Sequence, residues 1–197
     1  MNYLAHLHLA PDNEQARIGN LLGDFLKPAL AGHLPMPMQT GMALHRFIDH
    51  FTDHHQIVIR AKRRIASERQ RYAGILIDIF FDHYLARHWR QFHHQTLSDF
   101  SQQCYAELQK YDAILPKRLQ EIAPSMIKYD WLGGYQDMER IEMVLAGFAR
   151  HRIRRASAFA AGIDDLRLHY AQLESDFLTF YPDLIAAVRL QIHSAGD

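Results

Sequence analysis

The stretch GMALHRFIDHFTDHHQIVIRAKRRIAS, residues 41–67, decides the fold class. Its apolar residues Leu44, Phe47, Ile48 and Phe51 recur at helical spacing, and Val58, Ala61 and Ile65 continue the stripe. Residues three and four apart share one helix face, so the spacing predicts a single long helix from Gly41 to about Ser67. The next helix, from Gln70 to Trp89, contains ILIDIFFDHYL (75–85) and has almost no polar face. Such a helix is expected at the centre of the fold, buried on most sides. Thr96 reads as the cap of a helix bearing Leu97, Phe100, Cys104 and Leu108. Pro116 reads as the start of a short helix ending near Ala123, before Pro124. The paired glycines of WLGGY (131–135) interrupt the pattern. Two helices follow, from about Asp137 to Ala160 and from Asp164 to Tyr181, and Pro182 sets off a short amphipathic end. Upstream, Ala16–Leu30 reads as a short helix followed by a loop over 31–40. Residues 1–10 fit either a short strand or the first turns of a helix. No repeat or composition shift marks a boundary. The expectation is one all-α domain over residues 1–197, a helical bundle of roughly seven helices.

Composition narrows the function classes. The 197 residues carry 22 Lys+Arg against 22 Asp+Glu, a formal net charge of zero, which excludes a generally basic nucleic-acid coat. Cys104 is the single cysteine, so intrachain disulfides and Cys-rich metal or redox motifs are excluded. The opening residues lack a positive n-region and a long apolar core, and no apolar run could span a bilayer. A cytoplasmic protein with no membrane and no nucleic-acid partner is expected. The unusual number is histidine, at 14.

The chemistry concentrates between residues 6 and 88. His45 and Asp49 are four apart and share a helix face, and Asp53 lies about 40° further round from Asp49 at 100° per residue. The same residues would also serve as an ordinary polar face. Asp78 and Asp82 stand one turn apart inside an apolar sequence, with His83 adjacent. Burying two such carboxylates uncompensated costs several kcal/mol each. A bound cation would relieve them, and so would an arginine or backbone donors from a neighbouring helix. Asp24 sits in GNLLGDFLKP, where Gly19 and Gly23 allow close backbone approach to a ligand; a surface or capping acid is the alternative. His6 and His8 suit a site rim, a ligand pair or structural positions. Carboxylates mixed with imidazoles favour Mn, Mg, Fe or Zn over soft-ligand metals. A divalent ion so held could activate water and clamp phosphoryl oxygens. Two basic clusters, Arg60, Lys62, Arg63, Arg64 and Arg150, Arg152, Arg154, Arg155, would suit an acidic partner, or are solvated helix faces.

The blocks MNYLAHLHLA, GNLLGDFLK, GMALHRFIDHFTD, DIFFDHYLARHW, YQDMERIEMVLAGFARHR and YAQLESDFLTFYP span nearly the whole chain in order. In these blocks the sequence closely resembles the bacterial acyl carrier protein phosphodiesterases, a divergent branch related to the HD-domain phosphohydrolases. The resemblance implies an HD-domain-like fold. The activity it implies is hydrolysis of the phosphodiester between 4'-phosphopantetheine and a serine of holo-acyl carrier protein, the macromolecular substrate. It implies a divalent metal cofactor, Mn²⁺ first, with Mg²⁺ or another first-row ion behind it, and a role in fatty acid and lipid metabolism.

Carried onto this sequence, the resemblance makes His45, Asp49, Asp82 and His83 the metal site, with Asp78 in or beside it. Asp24 or Asp53 would orient or deprotonate the attacking water, Arg46 or the Arg60–Arg64 cluster would stabilise charge, and His83 or His88 would protonate the leaving serine. The arginine clusters would steer an acidic carrier. The HD pattern has adjacent His-Asp on one helix, whereas this chain has His45-x-x-x-Asp49 and an inverted Asp82-His83. Two other readings fit the same residues. One is an HD-like nucleotidase or cyclic-nucleotide phosphodiesterase; the other is a non-catalytic helical module that binds the carrier protein.

Overall fold

Residues Tyr3–Leu9 form a helix, α1, which resolves the ambiguity of the opening segment. The computed structural model describes residues 1–152 and 156–194, with the side chains of 148–152 and 156 outside that description. Along the chain follow α2 (Glu14–Leu22), α3 (Met36–His54), α4 (Gln56–Lys62), α5 (Ala73–Arg87), α6 (Trp89–Phe92) and α7 (Leu97–Lys110). Then come α8 (Lys117–Lys128), α9 (Trp131–Gly134), α10 (Met138–Arg152), α11 (Ala156–Ala160), α12 (Gly162–Leu168) and α13 (Tyr170–Ser194). No strand occurs among the described residues, so the all-α expectation holds. The helices outnumber the seven expected because several predicted spans are divided.

The division of the opening stretch is instructive. The predicted helix over 41–67 begins earlier, at Met36, with Pro37 in the first turn, where a missing N–H costs nothing. It then stops at His55, whose backbone is extended and whose ring Nδ1 accepts the Ile57 amide at 3.4 Å. His55 therefore closes α3 and opens α4. Ala16–Leu30 is likewise two pieces, α2 and a 3₁₀ turn at Pro28–Leu30. Two expected proline stops are not stops. Helix α8 runs through Pro124 and α13 through Pro182. Both prolines are exposed, so the carbonyls they strand one turn earlier lie on the solvent side. Thr96 caps α7 as expected, accepting the Asp99 amide at 3.0 Å. The WLGGY segment is a short helix, entered through Asp130 in the left-handed region at φ 45°, whose carboxylate accepts the Gly133 amide.

Helix α5 is central. Leu76, Ile77 and every residue from Ile79 to Ala86 are buried. Phe81 meets Phe177 and Phe180 of α13, each at a ring distance of 5.6 Å. The buried apolar side chains form one contiguous cluster reaching from Met1 to Val188. No helix among the described residues is long and apolar enough to cross a membrane.

Candidate metal centre

The site depends on how closely α2 and α3 can pack. A side chain at Gly19 would lie 2.1 Å from the Met38 carbonyl oxygen, and one at Gly41 would lie 2.2 Å from that of Ala16. The two glycines thus let the backbones touch, and His45, one turn beyond Gly41, is carried against the last turn of α2. Its Nδ1 donates to the Asn20 carbonyl at 2.8 Å. Its ring fills the space that a side chain at Gly23 would need, the ideal Cβ lying 2.2 Å from His45 Cγ. The glycines of GNLLG serve helix packing and the seating of this ring.

His6 arrives from α1. Its ring stacks on that of His45 with centroids 3.9 Å apart, and its Nδ1 bonds the Asn20 side-chain oxygen at 3.0 Å. The remaining nitrogens face one carboxylate: His6 Nε2 lies 3.1 Å from Asp49 Oδ1, and His45 Nε2 lies 3.0 Å from Asp49 Oδ2. The donor atoms of His6, His45 and Asp49 all lie within 4.8 Å of one another.

The hydrogen bonds decide what this convergence means. A carbonyl can only accept, so the Nδ1 of His45 carries the proton and, in the neutral ring, Nε2 presents a lone pair to Asp49. Burial lowers the pKa of His6 to about 4, against the pull of Asp49. Burial would raise Asp49, but the bonds to His45 and His6 and the nearby amino terminus outweigh it and hold the acid well below its usual range. Two imidazole nitrogens and an ionised carboxylate meeting at one point repel unless a proton or a cation lies between them. Two nitrogens and a hard oxygen suit a first-row divalent ion, and the bond from His45 Nδ1 to a backbone carbonyl is the usual way such a ligand is oriented.

The surrounding acids are handled differently. The Met1 ammonium lies 3.0 Å from Asp78 and 3.4 Å from Asp49. Its burial would lower its pKa, yet Asp78 and Asp49 raise it to about 10. Asp82 is fully buried, and its carboxylate accepts the Leu4 and Ala5 amides at 2.7 and 3.2 Å. It caps α1 from a helix far away in sequence and so fixes the helix that carries His6. Asp24, just past α2, is exposed, yet the protein packed around its carboxyl raises its pKa by desolvation, and His45 and Asp49 lie near enough to act on it.

A family model described as acyl carrier protein phosphodiesterase matches residues 1–184. The chain belongs to the acyl carrier protein phosphodiesterase family. It is therefore one of a family of hydrolases. It is 37% identical to the acyl carrier protein phosphodiesterase of Serratia proteamaculans (strain 568) over 186 residues, covering 94% of this chain and 96% of that one. It is 36% identical to that of Yersinia pestis, with the same coverage. It is 38% identical to that of Escherichia coli O157:H7 over 191 residues, 94% of this chain and 96% of that one. No solved structure matches.

In this member of the acyl carrier protein phosphodiesterase family, the expected ligands are only partly brought together. His45 and Asp49 meet, and His6, expected at the rim, is the third member of the cluster. Asp82 and His83 are not part of that group. His83 donates from Nδ1 to the Tyr135 carbonyl at 2.7 Å, and its Nε2 meets the Tyr170 hydroxyl at 2.9 Å, so both nitrogens are engaged elsewhere. Asp78 pairs with the amino terminus. Asp53 pairs with Lys62 at 2.7 Å, and His88 with Glu174 at 2.7 Å. His8 donates to the Phe92 carbonyl at 3.2 Å and accepts from the Tyr181 hydroxyl at 2.8 Å, deep among aromatic rings. Arg46 is exposed beside His45.

The first basic cluster is largely neutralised from within. Arg60 and Arg64 both bond the buried Asp176. Arg63 is exposed, with no ion pair among the described residues. Of the second cluster, Arg154 and Arg155 lie outside the described residues, as do the side chains of Arg150 and Arg152. Sequence reasoning missed Asn20, which orients both histidines, and the Met1 amino group; no spacing rule points to either.

Proposed function

We propose that this protein is a metal-dependent phosphodiesterase that hydrolyses holo-acyl carrier protein to the apo form and free 4'-phosphopantetheine. The observation that carries the metal part is the meeting of His6 Nε2, His45 Nε2 and the Asp49 carboxylate within 4.8 Å. The substrate is the one named in the family and its relatives. Mn²⁺ is our choice of ion because the resemblance to the family implies it; two imidazoles and a carboxylate suit other first-row divalent ions as well. Such an ion, when bound, supplies Lewis acidity and acidifies a coordinated water.

The chain's own groups do the rest. Asn20 orients both imidazoles through its backbone and side-chain oxygens. Asp24, near His45 and Asp49, takes the proton of the attacking water; its raised pKa makes it a stronger base than an ordinary aspartate. Asp82 and the Met1 ammonium keep α1 and the acids in register.

The test is to incubate the protein with holo-acyl carrier protein, with and without Mn²⁺, and weigh the carrier by mass spectrometry. Loss of the phosphopantetheinyl group with Mn²⁺, abolished by chelator and by His45→Ala or Asp49→Ala, is the expected result. An unchanged carrier alongside hydrolysed nucleotides would replace this reading with a nucleotidase. Turnover insensitive to chelator and to both substitutions would remove the metal centre.

A further inference from the structure

Two guanidiniums near the site, those of Arg46 and Arg118, have no acidic partner among the described residues. Arg118, in the first turn of α8, is exposed and makes no ion pair or hydrogen bond among the described residues. Of the arginines considered for charge stabilisation, Arg60 and Arg64 are committed to Asp176, whereas Arg46 and Arg63 are exposed with neither an ion pair nor an aromatic seat among the described residues. Arg118 is nevertheless held in place. Its guanidinium carbon lies 5.6 Å from the centre of the Phe25 ring, and Phe25 stacks on Tyr3 with centroids 5.9 Å apart. Phe25 follows Asp24, and Tyr3 begins the helix that bears His6. The three side chains therefore stack in a row beside Asp24, close enough for the Arg118 charge to act on the Asp24 carboxyl and the Tyr3 hydroxyl.

A phosphodiester is an anion, and while the Met1 ammonium offsets Asp49 and Asp78, Asp24 has no ion-pair partner among the described residues. A fixed cation beside Asp24 would ease the approach of the anion to it. A guanidinium lying over an aromatic face keeps its N–H edge free, and that edge matches two phosphoryl oxygens at once. We propose that Arg118 is a substrate-binding residue whose guanidinium, seated on Phe25, grips the phosphoryl oxygens of the scissile linkage beside Asp24. The assignment rests on the phosphodiesterase reading above. It places the phosphate-binding cation on α8, outside both basic clusters that stand out in the sequence.

The experiment titrates free 4'-phosphopantetheine into the Mn²⁺-loaded protein by calorimetry and measures turnover of holo-acyl carrier protein, for the wild type, Arg118→Met and Arg118→Lys. Arg118→Met is expected to weaken 4'-phosphopantetheine about tenfold or more, the scale of a charge-assisted bidentate contact. It should raise KM for the carrier more than it lowers kcat and leave Mn²⁺ affinity unchanged, and Arg118→Lys should recover part of the loss. A wild type that turns over holo carrier while Arg118→Met binds and reacts equally well overturns the assignment and leaves the activity standing. A wild type that neither binds 4'-phosphopantetheine nor alters the carrier overturns the activity itself, and the assignment with it.

Discussion

The carboxylate of Asp82 accepts two amides at the start of α1, and burial, opposed by the amino terminus and those amides, raises its pKa to about 7. Asp49, one helix away, is held ionised by two histidines. The same residue type is a helix cap in one place and a candidate ligand in the other, and the difference lies in which donors reach it. Asp82→Ala strands two buried N–H groups, a loss of about 2–6 kcal/mol at one to three per group. The sign of its pH dependence follows from linkage. Between the ordinary aspartate pKa and about 7, the folded protein holds a proton that the unfolded chain has released, so the contribution of Asp82 is largest at low pH and falls as pH rises. Urea unfolding should show a larger penalty for Asp82→Ala at pH 5 than at pH 8, with Mn²⁺ stoichiometry unchanged in the folded protein. A penalty that grows with pH would refute the cap as described.

Between helices, the seam of α2 and α3 separates stability from chemistry. Gly19 and Gly23 are one turn apart on α2, but their missing side chains make room for different things: the Met38 backbone in one case and the His45 ring in the other. Gly19→Ala must push two helices apart, and a loss of about 1–3 kcal/mol is expected from overpacking of this kind. Gly23→Ala meets His45 Cγ at 2.2 Å and Cβ at 2.7 Å rather than helix backbone, so it must unseat the ring with a smaller shift of α3, and its stability loss should be the smaller. The displaced ring gives up its bond to the Asn20 carbonyl, and Mn²⁺ affinity should fall about tenfold or more, as for other losses of ligand orientation. Thermal unfolding and Mn²⁺ calorimetry on both variants check this. Equal effects on stability and on metal binding in the two proteins would mean that His45 is not oriented through this seam. The helix breaks are also decided between elements. The apolar stripe of α3 continues through Val58, so nothing in the periodicity marks the stop at His55. Pro124 and Pro182 are tolerated because their faces happen to meet water.

Across the whole molecule, charge that looks free in sequence is spent internally. Arg60 and Arg64 converge on Asp176, whose side chain is 2% exposed, and tie α4 and the segment after it to α13. Removing both partners leaves a buried carboxylate alone, so the double variant Arg60→Ala/Arg64→Ala should lose about 3–5 kcal/mol. KM for the carrier, measured below the variant's unfolding temperature, should change little. A large rise in KM with stability intact would return this cluster to carrier docking.

The parts of the molecule legible in the sequence share one property. Helical periodicity is local, so the all-α class, the centrality of α5 and the pairing of His45 with Asp49 one turn later could all be read from spacing. Asp24 could be noticed from its glycine neighbours, although those glycines turn out to serve α3 and His45. What spacing could not reach is every contact between distant segments. His6 lies far from His45 along the chain and stacks on it through the Asp82 cap on α1, the Asn20 bond and the glycine seam that draws α3 against α2. The Asp82-His83 pair resembles a ligand pair by adjacency, yet neighbouring residues on a helix point about 100° apart. One carboxylate goes to α1, while the imidazole goes to Tyr135 and Tyr170. The sequence by itself determined the helices and the family blocks, because both are written in short-range pattern. Only the tertiary structure decided which imidazoles share a carboxylate and which cations stay unpaired, because those depend on donors and acceptors that folding alone brings within 3 Å or so of each other.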